Sequence, residues 1–467
     1  MQTLIPQAVT AKAHPHGRAG RVLGWGLTPR ALLLLLAGLL VAIPAFFHPH
    51  RLWLMAAWDG LVMALIVIDA MSLPAPAAMT VTRRFVHSPA IGMETEIAYT
   101  VRHEANAILH VALTDELHSA VLATPRAVQL TAYPREEATV AMVVRPRERG
   151  DFALGKIFLR YRGALALVER WAVADTEQRI RIYPAVERAS SSTDLYLMRA
   201  RQIELQKRRL RMKGIGRDFE SLREFQRGDE LRNISWTATA RRAKLITRQF
   251  TTERSQQVWV VLDAGRLSRT AFHLKAEDVV VTQLDQAAAA AVMLAQVIGG
   301  SGDKFALLTY GRGVQQQLPP GNGPAHLRMM IDLLSQTRSE RSEANHLNAV
   351  ARLKQLQRRR GLILWVTEMT DSMGRPEVVA AAVELVRRHL VVLVLLKHPE
   401  LDTLAADEPK TVEGMFARQA AQEILDRRME AVSKLRQQGV LVVETTPGEL
   451  GVAAINKYLE VKAEGLL

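Results

Sequence analysis

The chain has 467 residues, of which 48% are hydrophobic and 23% are charged. This length and composition predict two or three folded domains and exclude a single small module or a disordered chain. The sequence contains no cysteine, which excludes disulfides, thiolate metal sites and a cysteine nucleophile. The formal net charge of +14 indicates an anionic partner, either nucleic acid or a lipid surface.

Two apolar segments, at 31–47 and 52–70, lie near the N-terminus. The first has no charged residue, the second carries only Asp59 and Asp69, and each is close to the roughly 17 to 25 residues that cross a bilayer. Only a short segment separates them, so residues 29–70 are predicted to form a transmembrane helical hairpin. A cleaved signal peptide or two buried soluble helices are the alternatives.

The basic residues around this hairpin predict its orientation. Four Lys or Arg residues precede the first apolar segment, one lies between the two segments, and Arg83 and Arg84 follow the second. The positive-inside rule therefore places the N-terminal segment 1–28 and everything after the hairpin in the cytoplasm. The role of Asp59 within the second span stays open between an intramembrane function and packing.

Two different patterns follow the hairpin. Residues 79–187 contain short β-rich runs separated by turn formers, which predicts a β-sandwich. Residues 255–467 alternate buried-strand patterns with helical stretches, which predicts an open, mostly parallel sheet with helices on both faces. Its strands are predicted at 258–263, 305–310, 362–367, 390–396 and 440–444.

The carboxyl ends of these parallel strands are where function is expected. Asp263, Tyr310-Gly311, Thr367 to Asp371 and Lys397-His398 occupy those ends. The chain has no phosphate loop, GxSxG elbow or HExxH motif, so enzyme chemistry is not expected. An enzyme with Asp263, Glu368 and Asp371 around a metal is kept as an alternative.

The basic charge is concentrated in residues 190–254, which are predicted to form a basic linker. From Arg199 to Arg254 the chain has 16 Lys or Arg against 7 Asp or Glu. This charge would suit nucleic acid, but packing accounts for the nearby Phe219, Phe225 and Trp236 better than base stacking does. Nucleic-acid binding is therefore an alternative and not the main prediction.

A distinctive motif lies within this linker, from Gly214 to Arg242. It resembles the signature of the bacterial domain of unknown function family 58. The matching positions are Gly216, Phe219, Leu222, Arg223, Glu224, Gly228, Asp229, Arg232, Ile234, Trp236, Ala240 and Arg241. The segment either staples the two folded units together or forms a docking surface for an acidic partner. The stapling interpretation predicts that Trp236 is buried and that Trp236→Ala costs about 3 to 5 kcal/mol.

The resemblance implies a von Willebrand factor A-like fold for residues 255–467. Such domains often hold a divalent cation through D-x-S-x-S, a distant Thr and a second Asp. Asp263 is present here, but Gly265 and Leu267 replace the two serines, and the second carboxylate is Glu368. Two carboxylates without hydroxyls make a poor cage, so no cofactor is expected and a magnesium site is the alternative.

The resemblance also implies a function and a location. Relatives of this family act beside MoxR-type AAA+ ATPases and other A-domain proteins in the assembly or maturation of complexes. The chain is therefore expected to be a non-catalytic adaptor, multi-pass in the bacterial inner membrane, with its soluble domains in the cytoplasm. A metal-dependent, protein-binding A domain and a basic nucleic-acid-binding membrane protein are the alternatives; client and oligomeric state stay open.

Overall fold

The computed structural model describes residues 5–15, 24–41, 43, 52–185, 196–200, 202, 218–226, 229, 231–251, 256–274, 279–369, 377–409 and 411–466. The chain divides into two compact units, Met1–Tyr183 and Pro184–Leu467. Each unit has a main sheet and a hydrophobic core of its own.

The first unit is a β-sandwich, as the strand pattern predicts. Its strands are β1 (Val9–Pro15), β2 (Trp25–Leu27), β3 (Met79–Phe85), β4 (Thr95–His103), β5 (Leu109–Asp115), β6 (Val121–Thr124), β7 (Ala127–Ala132), β8 (Glu137–Pro146), β9 (Gly150–Leu154), β10 (Ile157–Arg162), β11 (Val168–Ala174) and β12 (Gln178–Ile182). The main sheet runs β6-β8-β4-β3-β1-β11-β10-β5-β7, with β2 beside β11, while β9 and β12 pair separately. Buried and exposed side chains alternate along strands such as β3 and β5, so one face of each covers the core.

Strand β1 joins the two halves of this sandwich. Its residues 9–12 pair with β3, and its residues 13–15 pair with β11. This strand was not predicted, although its apolar residues 9, 11 and 13 alternate with the exposed polar residues 10, 12 and 14, the pattern of a half-buried strand. The segment 1–28 therefore contributes strands to the folded unit.

Two helices, α1 (Pro29–Val41) and α2 (Leu52–Ser72), lie between β2 and β3 in the chain. Among the described helices, α2 contains the one segment, Trp53–Ser72, that is long and apolar enough to cross a membrane. Helix α1 has 13 residues and is shorter than a span requires. The remainder of the predicted first span, apart from Ile43, lies outside the described residues.

The C-terminal end of α2 is fixed to the sandwich by hydrogen bonds. The Asp69 carboxylate accepts hydrogen bonds from the backbone N–H groups of Leu167 and Val168, at 2.8 and 2.9 Å. The Tyr161 hydroxyl donates to the Pro74 carbonyl at 2.7 Å. The end of α2 therefore lies directly beside the loop that connects β10 to β11.

The second unit contains the predicted α/β sheet. Its strands are β13 (Asp218–Glu224), β14 (Ile246–Thr251), β15 (Gln257–Asp263), β16 (Ala271–Leu274), β17 (Val279–Thr282), β18 (Lys304–Tyr310), β19 (Val314–Gly321), β20 (Leu362–Thr367), β21 (Leu390–Leu396) and β22 (Leu441–Thr445). The main sheet runs β19-β18-β15-β20-β21-β22, with β19 antiparallel at the edge and the other neighbours parallel. The five parallel strands agree with the predicted ones to within one residue.

Helices lie on both faces of this sheet, which is buried on both sides. The helices of the second unit are α3 (Trp236–Arg242), α4 (Gln283–Gly300), α5 (Pro324–Gln336), α6 (His346–Leu356), α7 (Glu377–Val386), α8 (Pro399–Ala406), α9 (Val412–Gln437) and α10 (Leu450–Glu464). Among them, α3 packs against β14 and α8 packs against α9. Helix α4 starts at a capping box in which Asp285 N donates to Thr282 Oγ1 and the Asp285 carboxylate accepts from Thr282 N. Strands β20 and β21 are buried along almost their whole length, as expected for central parallel strands.

Candidate functional site

The carboxyl ends of the central strands bring together the acidic side chains that the sequence analysis singled out. Strand β15 ends at Asp263 and its neighbour β20 ends at Thr367, with Glu368 next in the chain. The two strands are parallel and in register, with Leu262 beside Val366. Asp263 and Thr367 are therefore side by side at one edge of the sheet.

Each oxygen of the Asp263 carboxylate accepts a hydrogen bond from within the protein. Its Oδ2 accepts a hydrogen bond from the Thr367 hydroxyl at 2.7 Å, and its Oδ1 accepts one from Gly265 N at 2.8 Å. Burial raises the pKa of this carboxyl above its usual value, while His346 and the bond from Thr367 act in the opposite direction. Asp263 therefore organises the end of the strand and leaves few lone pairs for an external ligand.

Glu368 is also paired within the fold. Its side chain is buried, and its Oε1 makes a short contact with Nε2 of His398, which follows strand β21. The hydrogen bond with Glu368 raises the pKa of His398, which favours the charged imidazolium beside the carboxylate. The sequence analysis placed His398 at a strand end but did not predict this ion pair, because the two residues are 30 positions apart.

The positions of the missing serines are filled by the chain itself. A Cβ atom at Gly265 would lie 2.8 Å from both Cβ and N of Ala344. Two backbone hydrogen bonds join the loop after β15 to the 340–345 segment. Arg266 N donates to Ser342 O and Glu340 N donates to Ala264 O, both at 2.8 Å. A hydroxyl-bearing side chain at 265 therefore does not fit unless the 340–345 segment moves.

The space left between these groups is small. It measures about 10 Å³, is lined by Asp263, Thr367, Glu368 and Gln283 among others, and matches one water molecule. Glu368 Oε2 and Gln283 Oε1 are buried without a hydrogen-bond partner in the described structure.

This donor set does not suit magnesium. Mg²⁺ needs near-octahedral oxygen ligands and retains several waters, whereas the space between the described residues is about 10 Å³. Within the described part of the chain, no group of three or more His, Cys, Asp or Glu side chains is placed to hold a metal ion. Asp371, the third acid of the metal alternative, lies outside the described residues.

A second hydrogen-bonded group of side chains lies close to Asp263 and consists of Tyr310, His346 and Trp365. Trp365 Nε1 donates to the Tyr310 hydroxyl at 2.8 Å, and that hydroxyl is 2.9 Å from His346 Nδ1. Burial raises the pKa of Tyr310 and lowers the pKa of His346, so both groups are held neutral. These contacts fix the strand ends, and the sequence analysis predicted none of them.

The family signature forms a separate feature of the second unit. Strands β13 and β14 pair antiparallel, and α3 begins at Trp236 between them. Arg223 forms an ion pair with Asp229 at 2.6 Å. Gly216 and Gly228 lie outside the described residues, as do the side chains of Phe219 and Arg232.

The expectation that Trp236 is buried is wrong. Its exposed fraction is 68%, because it is the first residue of the seven-residue helix α3 and its side chain points to solvent. Leu222 is 37% exposed, and the apolar anchor of this region is Ile234, at 6%. We define the signature surface as the exposed side chains of Leu231, Trp236, Arg241, Arg242 and Lys244.

Comparisons with known proteins agree with the family resemblance. Residues 221–427 match the family model described as "Protein of unknown function DUF58". Similar solved structures include the conserved hypothetical protein BatB from Bacteroides thetaiotaomicron, at 15% identity over 45% of this chain and 100% of that chain, with a TM-score of 0.31. An aerotolerance-related membrane protein from Bacteroides fragilis is 13% identical over 45% of this chain and 100% of that chain, with a TM-score of 0.29. The SpRpn10 VWA domain is 10% identical over 44% of this chain and 95% of that chain, with a TM-score of 0.27. At such low identities and TM-scores, the structural likeness carries no argument about function. No curated protein matches the chain.

Proposed function

We propose that this chain, a member of the DUF58 family, is a membrane-anchored accessory protein that docks a MoxR-type AAA+ ATPase through its signature surface. The exposure of Trp236 carries the proposal. A large aromatic side chain in solvent, with exposed Leu231 nearby in sequence and basic residues following it, has the composition of a protein-binding hot spot. Any ATP hydrolysis then belongs to the partner.

The strand ends support a role without catalysis. A catalytic acid or base needs to reach a substrate, but Asp263 and Glu368 both hold partners inside the fold. The space that the described residues leave beside them is about 10 Å³, the size of one water molecule. The same geometry argues against the alternative in which a cation at this edge mediates protein binding.

The pairing of β1 with β3 supports a two-span hairpin. Strand β1 precedes α1, strand β3 follows α2, and the two strands are hydrogen-bonded neighbours in one sheet. The chain must therefore leave and return on the same side of a membrane. If α2 crosses the bilayer, a second crossing is required, and α1 with the residues after it is the apolar segment available.

The surfaces of these helices also support a lipid environment. The helices contact each other where Trp58 Nε1 donates to the Leu34 carbonyl at 2.9 Å and where Gly38 faces Asp59. Val62 and Ile66 of α2 are buried, but ten other large aliphatic side chains of the two helices are exposed, which is unfavourable in water and favourable in lipid. These exposed residues are Leu32, Leu33, Leu36, Leu39, Leu40, Leu61, Met63, Val67, Ile68 and Met71. With the positive-inside bias, we propose that both folded units lie on the cytoplasmic side of the inner membrane.

Binding of the purified ATPase to the full-length protein in detergent micelles tests the docking surface. We expect Trp236→Ala to weaken binding at least tenfold, because buried aromatic anchors dominate such interfaces. Phe416→Ala is the matched control, since Phe416 is an equally exposed aromatic on α9, at 73%. Unchanged binding by Trp236→Ala, or a loss with Phe416→Ala alone, would contradict the proposal.

A parallel titration with random-sequence DNA separates the nucleic-acid alternative. The signature surface is basic, so weak binding at low salt is expected of any polyanion. Salt-resistant DNA binding that is lost with Trp236→Ala, together with no binding of the ATPase, would assign this surface to nucleic acid instead.

A further inference from the structure

A polar groove lies on the outer face of the sandwich, away from the signature surface in sequence. It is formed by β7, β5, β10 and β11 and encloses about 250 Å³. The polar side chains that line it are His110, Gln129, Thr131, Arg160, Arg162 and Glu169. The proposed docking function does not use any of them.

The strand register places these side chains in two rows. Arg162 is opposite His110 on one side and Glu169 on the other, while Arg160 is opposite Ala112, whose other neighbour is Gln129. Arg160 and Arg162 point to the same face because they are two residues apart on one strand. The groove therefore presents two guanidinium groups within roughly 7 Å of each other along β10.

The charges in the groove are not balanced. Glu169 is the one acidic residue in the lining, and it is already engaged by Trp171 Nε1 at 3.2 Å and by Arg160 Nε at 3.7 Å. Arg162 has no ion-pair partner among the described residues. A guanidinium that is exposed and unpaired beside Thr and Gln side chains is suited to phosphate oxygens.

The groove lies at the end of the membrane-spanning helix. Arg162 is followed by Gly163, and a Cβ atom at Gly163 would lie 3.1 Å from the Asp69 carboxylate and 3.5 Å from the Ser72 hydroxyl of α2. On the other side of β11, strand β2 exposes Trp25 and Leu27 immediately before α1 begins. Exposed Trp and Leu at the ends of spans are typical of the membrane interface.

We propose that this groove binds the anionic phosphodiester headgroup of a membrane phospholipid. The proposal rests on the membrane anchoring proposed above, which brings β10 to the lipid surface. Arg162 precedes Gly163, which lies against the end of α2, and anionic lipids attract basic side chains near their surface. A cavity of about 250 Å³ is smaller than the sites that hold drug-sized ligands and fits a phosphoglycerol headgroup better than a nucleotide.

The test uses the full-length protein in neutral detergent micelles and counts bound lipids by native mass spectrometry. Phosphatidylglycerol and phosphatidylcholine are titrated separately. We expect preferential binding of phosphatidylglycerol, and an affinity about 30-fold weaker in Arg160→Gln/Arg162→Gln, from about fivefold per arginine near an anionic surface. The matched control is Arg102→Gln/Arg179→Gln, which removes two exposed strand arginines of the same unit outside the groove.

Two further measurements distinguish the possible failures. Inorganic phosphate at millimolar concentration should not displace the lipid; displacement at concentrations similar to those of the lipid would assign the groove to a soluble anion and overturn the proposal. Equal affinity for the two lipids, or equal loss in the control variant, would also overturn it. Carbonate extraction of membranes tests the anchoring separately: a protein that stays in the pellet but shows no headgroup preference refutes only the groove, whereas release of the protein refutes the anchoring as well.

Discussion

The Thr367 hydroxyl lies 2.7 Å from Asp263 Oδ2 and donates its proton to that oxygen. Asp263 is the first carboxylate that the A-domain resemblance assigns to a cation, whereas Thr367 precedes the second carboxylate, Glu368, and is not one of the ligand positions. The bond therefore ties the end of strand β15 to the end of its neighbour β20. It gives Asp263 a partner within the fold although its serine partners are absent.

Replacement of Thr367 by valine tests this interpretation. Thr367→Val keeps the side-chain shape but leaves Asp263 Oδ2 without its donor, so we expect a loss of about 1 to 3 kcal/mol in unfolding free energy. Thr367→Ser keeps the hydroxyl and should retain most of the stability. Urea unfolding of the full-length protein in micelles measures both, and equal stability of Thr367→Val and the parent would show that the bond is unimportant.

Restoring a serine of the lost motif should not restore cation binding. We expect Gly265→Ser to destabilise the protein by about 1 to 3 kcal/mol, because its Cβ overlaps Ala344. Gly313→Ser is the control, since a Cβ there meets no atom within 4 Å. Isothermal titration of Gly265→Ser/Leu267→Ser with millimolar Mg²⁺ should give no binding, and saturable binding would mean that the cation site was wrongly rejected.

The ion pair between His398 and Glu368 predicts a pH dependence of stability. The pKa of His398 is raised above 6.5 in the folded state, so its contribution is fully present below pH 6.5 and is lost as the pH rises through the folded value. Burial lowers the pKa of His346 and of His389, so their contributions change below pH 6.5 and in the opposite sense.

The comparison of the parent with His398→Gln isolates this group. We expect the parent to be more stable at pH 6 and the difference to shrink as the pH rises toward 9. Urea midpoints measured at intervals over this range check the prediction. A difference that is constant with pH would show that the pair is not an ion pair in solution.

The strands of the α/β sheet were predictable because buried parallel strands are continuous runs of apolar residues in the sequence. Leu362–Thr367 and Leu390–Leu396 are bounded in the structure as the sequence predicts, since central parallel strands carry no polar alternation to obscure their ends. Strand β1 was missed although its residues 9–14 alternate between apolar and polar; the structure shows its position through its pairing with β3 and β11.

The sequence predicted where the candidate site lies but not whether its side chains are free or hydrogen bonded within the fold. The topology rule located Asp263, Thr367 and His398 at the strand ends. Whether these side chains are free or paired depends on contacts between residues 30 or 104 positions apart, which a single sequence does not encode locally. The prediction that Trp236 is buried was wrong for a different reason, because an aromatic residue in an apolar pattern suits a core and an interface equally well.

The exposure of Trp236 gives a prediction opposite to that of the stapling interpretation. We expect Trp236→Ala to change the unfolding free energy by less than about 0.5 kcal/mol, as for most surface substitutions. Trp365→Ala, which truncates a side chain that is 1% exposed and bonded to Tyr310, should cost about 3 to 5 kcal/mol. Similar losses in the two variants would place Trp236 in a core.

The absence of cysteine in the chain allows a direct test of the membrane topology. We expect a cysteine introduced by His48→Cys, between the two apolar segments, to react with a membrane-impermeant maleimide in intact spheroplasts. Glu136→Cys, in the exposed turn between β7 and β8, and Glu464→Cys, near the end of α10, should react only after the membrane is permeabilised. The reason is the pairing of β1 with β3, which requires an even number of crossings between them. If Glu136→Cys reacts in intact spheroplasts, the orientation is opposite to the one proposed. If all three cysteines react only after permeabilisation, residue 48 is not exposed on the periplasmic side and the hairpin does not cross the membrane.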